Sequence, residues 1–229
     1  MMLAALFGKN YQRQRLLQRS KSEVMKEYLG EPFPDKKELV INSDIISVDF
    51  ETTGLDFEKD SIVSIGMVNI VNLGVDLASS SHQVILLGNA LSEESVVIHG
   101  ITDNDCDNGV AITDALPALL TRLKGKVLLA HNARIELGFL NKVCRSLYDT
   151  DFIIPVIDTQ HLAKRSLERT NKAYKSNDLR LFNLREKFNM PAYKAHNAQM
   201  DAVSTAELFL AIAGMLAPNN DLRLCDCLS

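Results

Sequence analysis

The strongest pattern in the chain is Ile45-Ile46-Ser47-Val48-Asp49-Phe50-Glu51-Thr52-Thr53-Gly54-Leu55, an Ile- and Val-rich run that reads as a buried strand yet carries carboxylates at alternate positions. Because side chains alternate along a strand, Asp49 and Glu51 leave the same face of the pleat, and Gly54 breaks the strand into a turn. Ser61 to Val71 and His82 to Leu87 are further β-type runs that extend a sheet by hairpins, so the domain opens with three consecutive strands. Ser92-Glu93-Glu94-Ser95 is a helix start leading to His99 and Gly100, and Ile112 to Leu123 repeats apolar residues at helical intervals.

Lys126 to Ala130 is a short buried strand that runs into His131-Asn132-Ala133-Arg134-Ile135-Glu136-Leu137-Gly138-Phe139-Leu140. Asn132 is the predicted N-cap of the helix that follows, which puts Glu136 in its first or second turn, near the carboxyl end of the preceding strand. Asp151 to Asp158 is another apolar run, Thr159 to Arg169 reads as helix, Thr170 to Asn177 as polar loop and Leu179 to Phe188 as an amphipathic segment. A long helix with a small, close-packing face follows His196-Asn197 and continues to about Leu216, with Asp201 in its first turns.

Ahead of all this, Lys9 to Leu29 carries six basic and two acidic side chains, with Leu16, Leu17, Val24, Met25 and Tyr28 at roughly helical spacing. That predicts one amphipathic helix, ended by Gly30-Glu31-Pro32-Phe33-Pro34. The plainer reading is a helix packed outside the domain with its basic face in water; the other is contact with phosphate or a partner. Met1 to Phe7 is apolar but too short for a membrane span and lacks the positive start of a signal peptide. The predicted organisation is therefore a basic helical arm and linker over 1–40, one domain over 41–217 and a short tail over 218–229.

A length of 229 residues is ample for one well-filled core, and a net charge of -4 leaves room for local basic patches. One lies between His161 and Lys187, where eight Lys or Arg face three acids. It reads equally as a phosphate-facing surface or an ordinary solvated helix and loop. Cys106, Cys144, Cys225 and Cys227 have no zinc-site spacing and read as free thiols in a reducing cytoplasm, with no membrane involvement.

Asp49, Glu51, Glu136 and Asp201 are four acids, each at or near the junction of a core element. Unpaired buried carboxylates are costly, and four of them are what two Mg²⁺ or Mn²⁺ ions need as hard oxygen ligands. His196, five residues before the last acid, supplies what carboxylates cannot: an ordinary pKa near 6.5 suits it to take a proton from an attacking water at neutral pH. Each segment alone also has a plain explanation. Asp-x-Glu fits an exposed strand, Glu136 fits an exposed helix start, and a lone His99 fits a hydrogen-bonded structural histidine.

Taken in order, the motifs "VDFETTGL", "IHGIT", "AHNARIELGFL" and "HNAQMDAVSTAEL" resemble the DEDD exonucleases, in the subclass with a His before the final Asp that includes the epsilon subunit of bacterial DNA polymerase III. The resemblance runs from about Ser43 to Ala217. It implies a ribonuclease-H-like α/β fold, a mixed five-stranded sheet flanked by helices, and removal of nucleotides from nucleic-acid 3′ ends as 5′-monophosphates, with single-stranded DNA the leading substrate. By position it implies Asp49, Glu51 and Asp201 as ligands of two divalent cations and His196 as the base. Thr52, Thr53 and Leu55 would contact the terminal nucleotide, Leu55 as a wedge against its base, and His99 would line the same pocket.

One position departs from the family pattern, since Ile135-Glu136 stands where Phe-Asp is usual. Glu keeps the charge but moves the carboxylate by about 1.5 Å, enough to cost on the order of 10²-fold in rate if the site does not adjust. Two rival readings follow. One is an exonuclease for RNA or short oligonucleotides; the other is a catalytically weak module that binds nucleic acid or a replication or repair partner.

Overall fold

Strand β1, Ile45–Thr52, is the middle of a five-stranded sheet with β2, Ile62–Val71, β3, Gly74–Val84, β4, Val127–Ala130, and β5, Val156–Asp158. The computed structural model describes residues 8–88, 90–169, 171, 173–193 and 195–229, without the side chains of Glu93, Glu94 and Ile98; the apolar start, Met1 to Phe7, lies outside them. The strand order is β3-β2-β1-β4-β5, antiparallel from β1 to β3 and parallel across β1, β4 and β5. The helices are α1, Lys9–Arg19, α2, Glu23–Gly30, α3, Glu93–His99, α4, Asp103–Asp107, α5, Ile112–Leu123, α6, Arg134–Tyr148, α7, Thr159–Arg169, α8, Leu181–Lys187, α9, Ala198–Leu216, and α10, Leu224–Cys227.

The pleat of β1 sends alternate side chains into two cores. Ile46, Val48 and Phe50 join Met25 and Leu29 of α2, Leu116 and Leu120 of α5 and Phe139 of α6, while Ile45 joins Leu162 of α7, Leu184 of α8 and Phe209 of α9. Each such side chain, fully buried, contributes roughly 1.5–3 kcal/mol. Ser47 lies on the second face, where its Oγ donates to the carbonyl of Ala202 in α9 at 2.8 Å. Asp49 and Glu51, in step with Ile45 and Ser47, therefore face α9.

Three elements differ from their predicted form. The arm is two helices, because Ser20 is extended and Ser22 starts a new helix by accepting the Met25 N–H. Arg13 is buried and donates to the Leu29 carbonyl, so part of the predicted basic face ties α1 to α2. Strand β3 begins at Gly74 instead of His82; its first half is largely exposed at the sheet's edge, where no buried face imposes alternation. Finally, a short 3₁₀ turn over Ser176–Leu179 precedes α8 in what reads as one amphipathic segment.

The last residues pack back on the domain. The Val40 N–H donates to Leu222, the Leu224 N–H to Glu38 and the Ser229 N–H to Val156, each at 2.9 Å, and Leu228 bridges to Ile157. All four cysteines are free thiols. No helix among the described residues is long and apolar enough to cross a membrane.

Candidate active site

At the end of β1 the side chains of Glu51, His196 and Asp201 converge, with one ligand atom of each within 4.8 Å of the others. Glu51 and Asp201 are buried, Asp49 is half-buried, His196 is exposed, and Glu136 is 2% exposed. The local sequence explains each placement. Asn197 caps α9 by accepting the Met200 N–H at 3.1 Å, which sets Asp201 in the first turn. His196 sits just before that cap in the left-handed region, φ +63°, and its N–H donates to Asp201 Oδ2 at 3.0 Å. That backbone conformation costs about 1 kcal/mol or more and is held by the bond it allows. The proposed base and a proposed ligand are thus joined through the backbone.

The electrostatics show a cluster short of positive charge. Burial, followed by the carboxylates of Glu136, Asp201 and Glu51, holds the pKa of Asp49 well above the ordinary range. Burial and the nearby Asp201 raise Glu51 to about 7. Burial, with a smaller push from Asp158, raises Glu136 to about 8 against the opposing pull of its own amide and that of Phe50. Burial raises Asp201 to about 6, although the His196 amide and the Arg185 guanidinium pull the other way. Moreover, among the described residues Glu136 Oε2 and Asp201 Oδ1 are buried without a hydrogen-bond partner. Orphaned carboxylate oxygens beside mutually repelling acids fit hard divalent cations, for which Asp49, Glu51, Glu136 and Asp201 are the ligands at hand.

The start of α6 is organised differently from the sequence reading. Asn132 is not the cap; it adopts φ +65°, and its N–H and that of Ala133 donate to the two carboxylate oxygens of Asp158, each at 3.1 Å. Asp158 Oδ1 also accepts from Gln160 at 2.9 Å and His161 at 3.3 Å. One acid at the end of β5 therefore caps both α6 and α7 and sets the height of Glu136. The available signal was an Asp directly before a helical run, a usual N-cap placement. His131 is structural: Nε2 donates to the Leu179 carbonyl at 2.9 Å, Nδ1 accepts from Thr159 Oγ1 at 2.8 Å, and burial lowers its pKa.

The predicted nucleotide-contacting residues border the same end of the sheet. The hydroxyl of Thr52 donates to the Gly54 carbonyl at 2.7 Å and that of Thr53 to Asp60 at 3.0 Å, so both brace the loop. Leu55 at its tip is 70% exposed, large and apolar. Ser95 of α3 donates to the Thr53 carbonyl at 3.1 Å, which ties the helix bearing His99 to this loop. His99 Nδ1 accepts the Ile101 N–H at 3.1 Å, leaving Nε2 as a buried donor without a partner among the described residues. Burial and then the charge of His196 lower its pKa.

The architecture is similar to that of the nuclease domain of 3′hExo, a DEDDh family member solved bound to rAMP, with a TM-score of 0.67 and 19% identity over 84% of this chain and 98% of that one. The fold is thus the ribonuclease-H-like fold of nucleases. The exonuclease family (RNase_T) matches residues 46–209. The "DNA polymerase III PolC-type" of Thermotoga petrophila is 33% identical over 76% of this chain, which spans only 12% of that much longer protein. The "DNA polymerase III subunit epsilon" of Treponema pallidum is 30% identical over 75% of this chain and 77% of its own length. The chain belongs to the exonuclease family, and its relatives within that family include DNA polymerase III epsilon subunits.

Proposed function

We propose that this protein removes nucleotides one at a time from the 3′ ends of single-stranded DNA, releasing nucleoside 5′-monophosphates. The observation that carries this reading is the convergence of Glu51, His196 and Asp201 within 4.8 Å, beside Asp49 and Glu136, where orphaned carboxylate oxygens call for cations. Two divalent cations, Mg²⁺ or Mn²⁺, held by Asp49, Glu51, Glu136 and Asp201, would supply charge stabilisation for the scissile phosphate and an acidified water. His196, exposed at the rim, takes the proton from the attacking water. Leu55 packs against the terminal base, and His99 donates from Nε2 to the bound nucleotide. Thr52 and Thr53 hold the loop that carries Leu55 in contact range.

In this reading residues 41–217 carry the chemistry, 1–40 form a bracing arm and 218–229 a tail. The protein works in the cytoplasm, and a replication or repair polymerase is the partner to which the relatives' names point. Digestion of matched 5′- and 3′-labelled single-stranded DNA and RNA with Mg²⁺, Mn²⁺ or EDTA, with Asp49→Ala as control, tests it. A metal-dependent ladder from 5′-labelled DNA, absent in the variant, supports it. Preference for RNA would favour the reading suggested by the ribonucleotide in the 3′hExo structure. No cleavage by folded protein would leave a nucleic-acid-binding module in which Glu136 has replaced a working Asp.

A further inference from the structure

Arg185 of α8 is 1% exposed, the least exposed charged side chain among the described residues, and none of the chemistry above uses it. A buried guanidinium is costly unless it is closely paired, so its partners show what it stabilises. Nη1 donates to the Ser204 carbonyl at 2.9 Å and to Glu207 Oε2 at 2.8 Å, both on α9 within two turns of Asp201. Nη2 donates to the Pro191 carbonyl at 3.1 Å, and the guanidinium lies 4.6 Å from the ring centroid of Tyr193. The Tyr193 hydroxyl closes the cluster by donating to Glu207 Oε1 at 3.0 Å.

Pro191 and Tyr193 belong to the irregular chain between α8 and α9, which ends at His196. The described residues of that segment form no helix or strand that would fix it. It is held at one end by the His196 N–H on Asp201 and in its middle by the Arg185 cluster. We infer that Arg185, with Tyr193 and Glu207, is a positioning group that clamps the 190–197 segment to α9 and so fixes His196 over Asp201. The inference rests on the reading of His196 and Asp201 as site residues. Its physical basis is that a cation with directed donors and an aromatic contact fixes one geometry, where an apolar side chain would fill the space without fixing the loop.

The test compares the full-length parent with Arg185→Met, Arg185→Lys and Tyr193→Leu. Tyr193 is only partly buried, so its variant is expected to fold even where Arg185→Met does not. Three quantities are read: kcat and KM on a 5′-labelled oligonucleotide, hydrogen exchange of the 189–197 segment, and melting temperature. The expected result is a kcat loss of roughly tenfold or more, with KM moved less than threefold, in Arg185→Met and Tyr193→Leu. Exchange should accelerate in 189–197 while β1 and the rest of α9 stay protected, and Arg185→Lys should fall between parent and Met.

Folded variants with kcat within twofold of the parent, or exchange that rises uniformly with a lowered melting temperature, overturn the inference in favour of a merely structural arginine. If Arg185→Met does not fold, Tyr193→Leu decides on the same criteria. A parent with no hydrolytic activity would sink the reading of the site instead. The exchange pattern alone then decides whether the clamp exists.

Discussion

Gly66 and Ala198 meet backbone to backbone: a Cβ on Gly66 would lie 2.0 Å from the carbonyl carbon and oxygen of Ala198. Gly66 is also the register partner of Asp49 across β1 and β2. The helix bearing Asp201 reaches the strand bearing Asp49 because residue 66 has no side chain. Gly66→Ala should push the start of α9 outward, destabilising the fold by about 1–3 kcal/mol and lowering the rate on the order of 10²-fold. Thermal melts and kcat on one preparation check this; parental kcat would show that α9 adjusts.

His196 can be tested without disturbing its backbone. Asn tolerates the left-handed conformation, so His196→Asn keeps the N–H bond to Asp201 and removes the imidazole. Melting should change little while kcat at pH 8 falls by roughly 10²- to 10⁴-fold. An unchanged kcat would remove His196 from the role of base.

Metal-free stability should fall as pH rises. Glu51, Glu136 and Asp201 titrate in the folded protein at about 7, about 8 and about 6, against ordinary values of 4.5, 4.5 and 3.8. A raised carboxylate pKa means that the fold holds the proton more tightly than the unfolded chain does. The fold is thus most favoured below about 4 and loses stability as pH climbs, with the share of these three acids lost by about pH 8 and Asp49 adding to the loss in the same direction. In EDTA the melting temperature should be lower at pH 8 than at pH 5.5, and Mn²⁺ should raise it more at pH 8, where protons no longer compete. A metal effect equal at both pH values would contradict carboxylate ligation.

Glu136→Gln keeps the shape and removes one charge from the cluster. The metal-free protein should melt higher than the parent at pH 8, gain less from Mn²⁺, and turn over roughly 10²-fold more slowly. Calorimetric titration of Mn²⁺ measures the same change directly. If Mn²⁺ affinity and turnover are both parental, Glu136 is outside the metal site.

Asp158→Ala removes a shared cap. Losing one N-cap costs about 0.5–2 kcal/mol, and here the amides of residues 132, 133, 160 and 161 lose their acceptor together. The melting temperature should drop by more than a single-cap variant such as Ser22→Ala, and kcat should fall as Glu136 shifts. Equal losses in the two variants would mean that Asp158 serves only α7.

The parts that sequence reasoning could read were those governed by local period. The pleat of β1 placed Asp49 and Glu51 on one face, and the start of α9 placed Asp201 beside them, because alternation and capping act within a few residues. Strand β3 escaped because an edge strand has no buried side to impose alternation. Asp158 escaped as the cap of α6 because its partners lie 25 and 26 residues upstream. Arg185 counted as one more charge in a basic stretch; its pairing with Glu207, 22 residues away, arises only when α8 and α9 pack.

The return of the tail to β5 bears on self-association. β5 is three residues long and pairs with β4 on one side. On its other side Leu228 bridges to Ile157 and the Ser229 N–H occupies the Val156 carbonyl. An outermost strand with free amides and carbonyls is a template onto which another chain can add and a fibril can grow. Here Leu228 and Ser229 of the same chain fill that place, so they act as a stopper, and displacing them would expose a sticky flank.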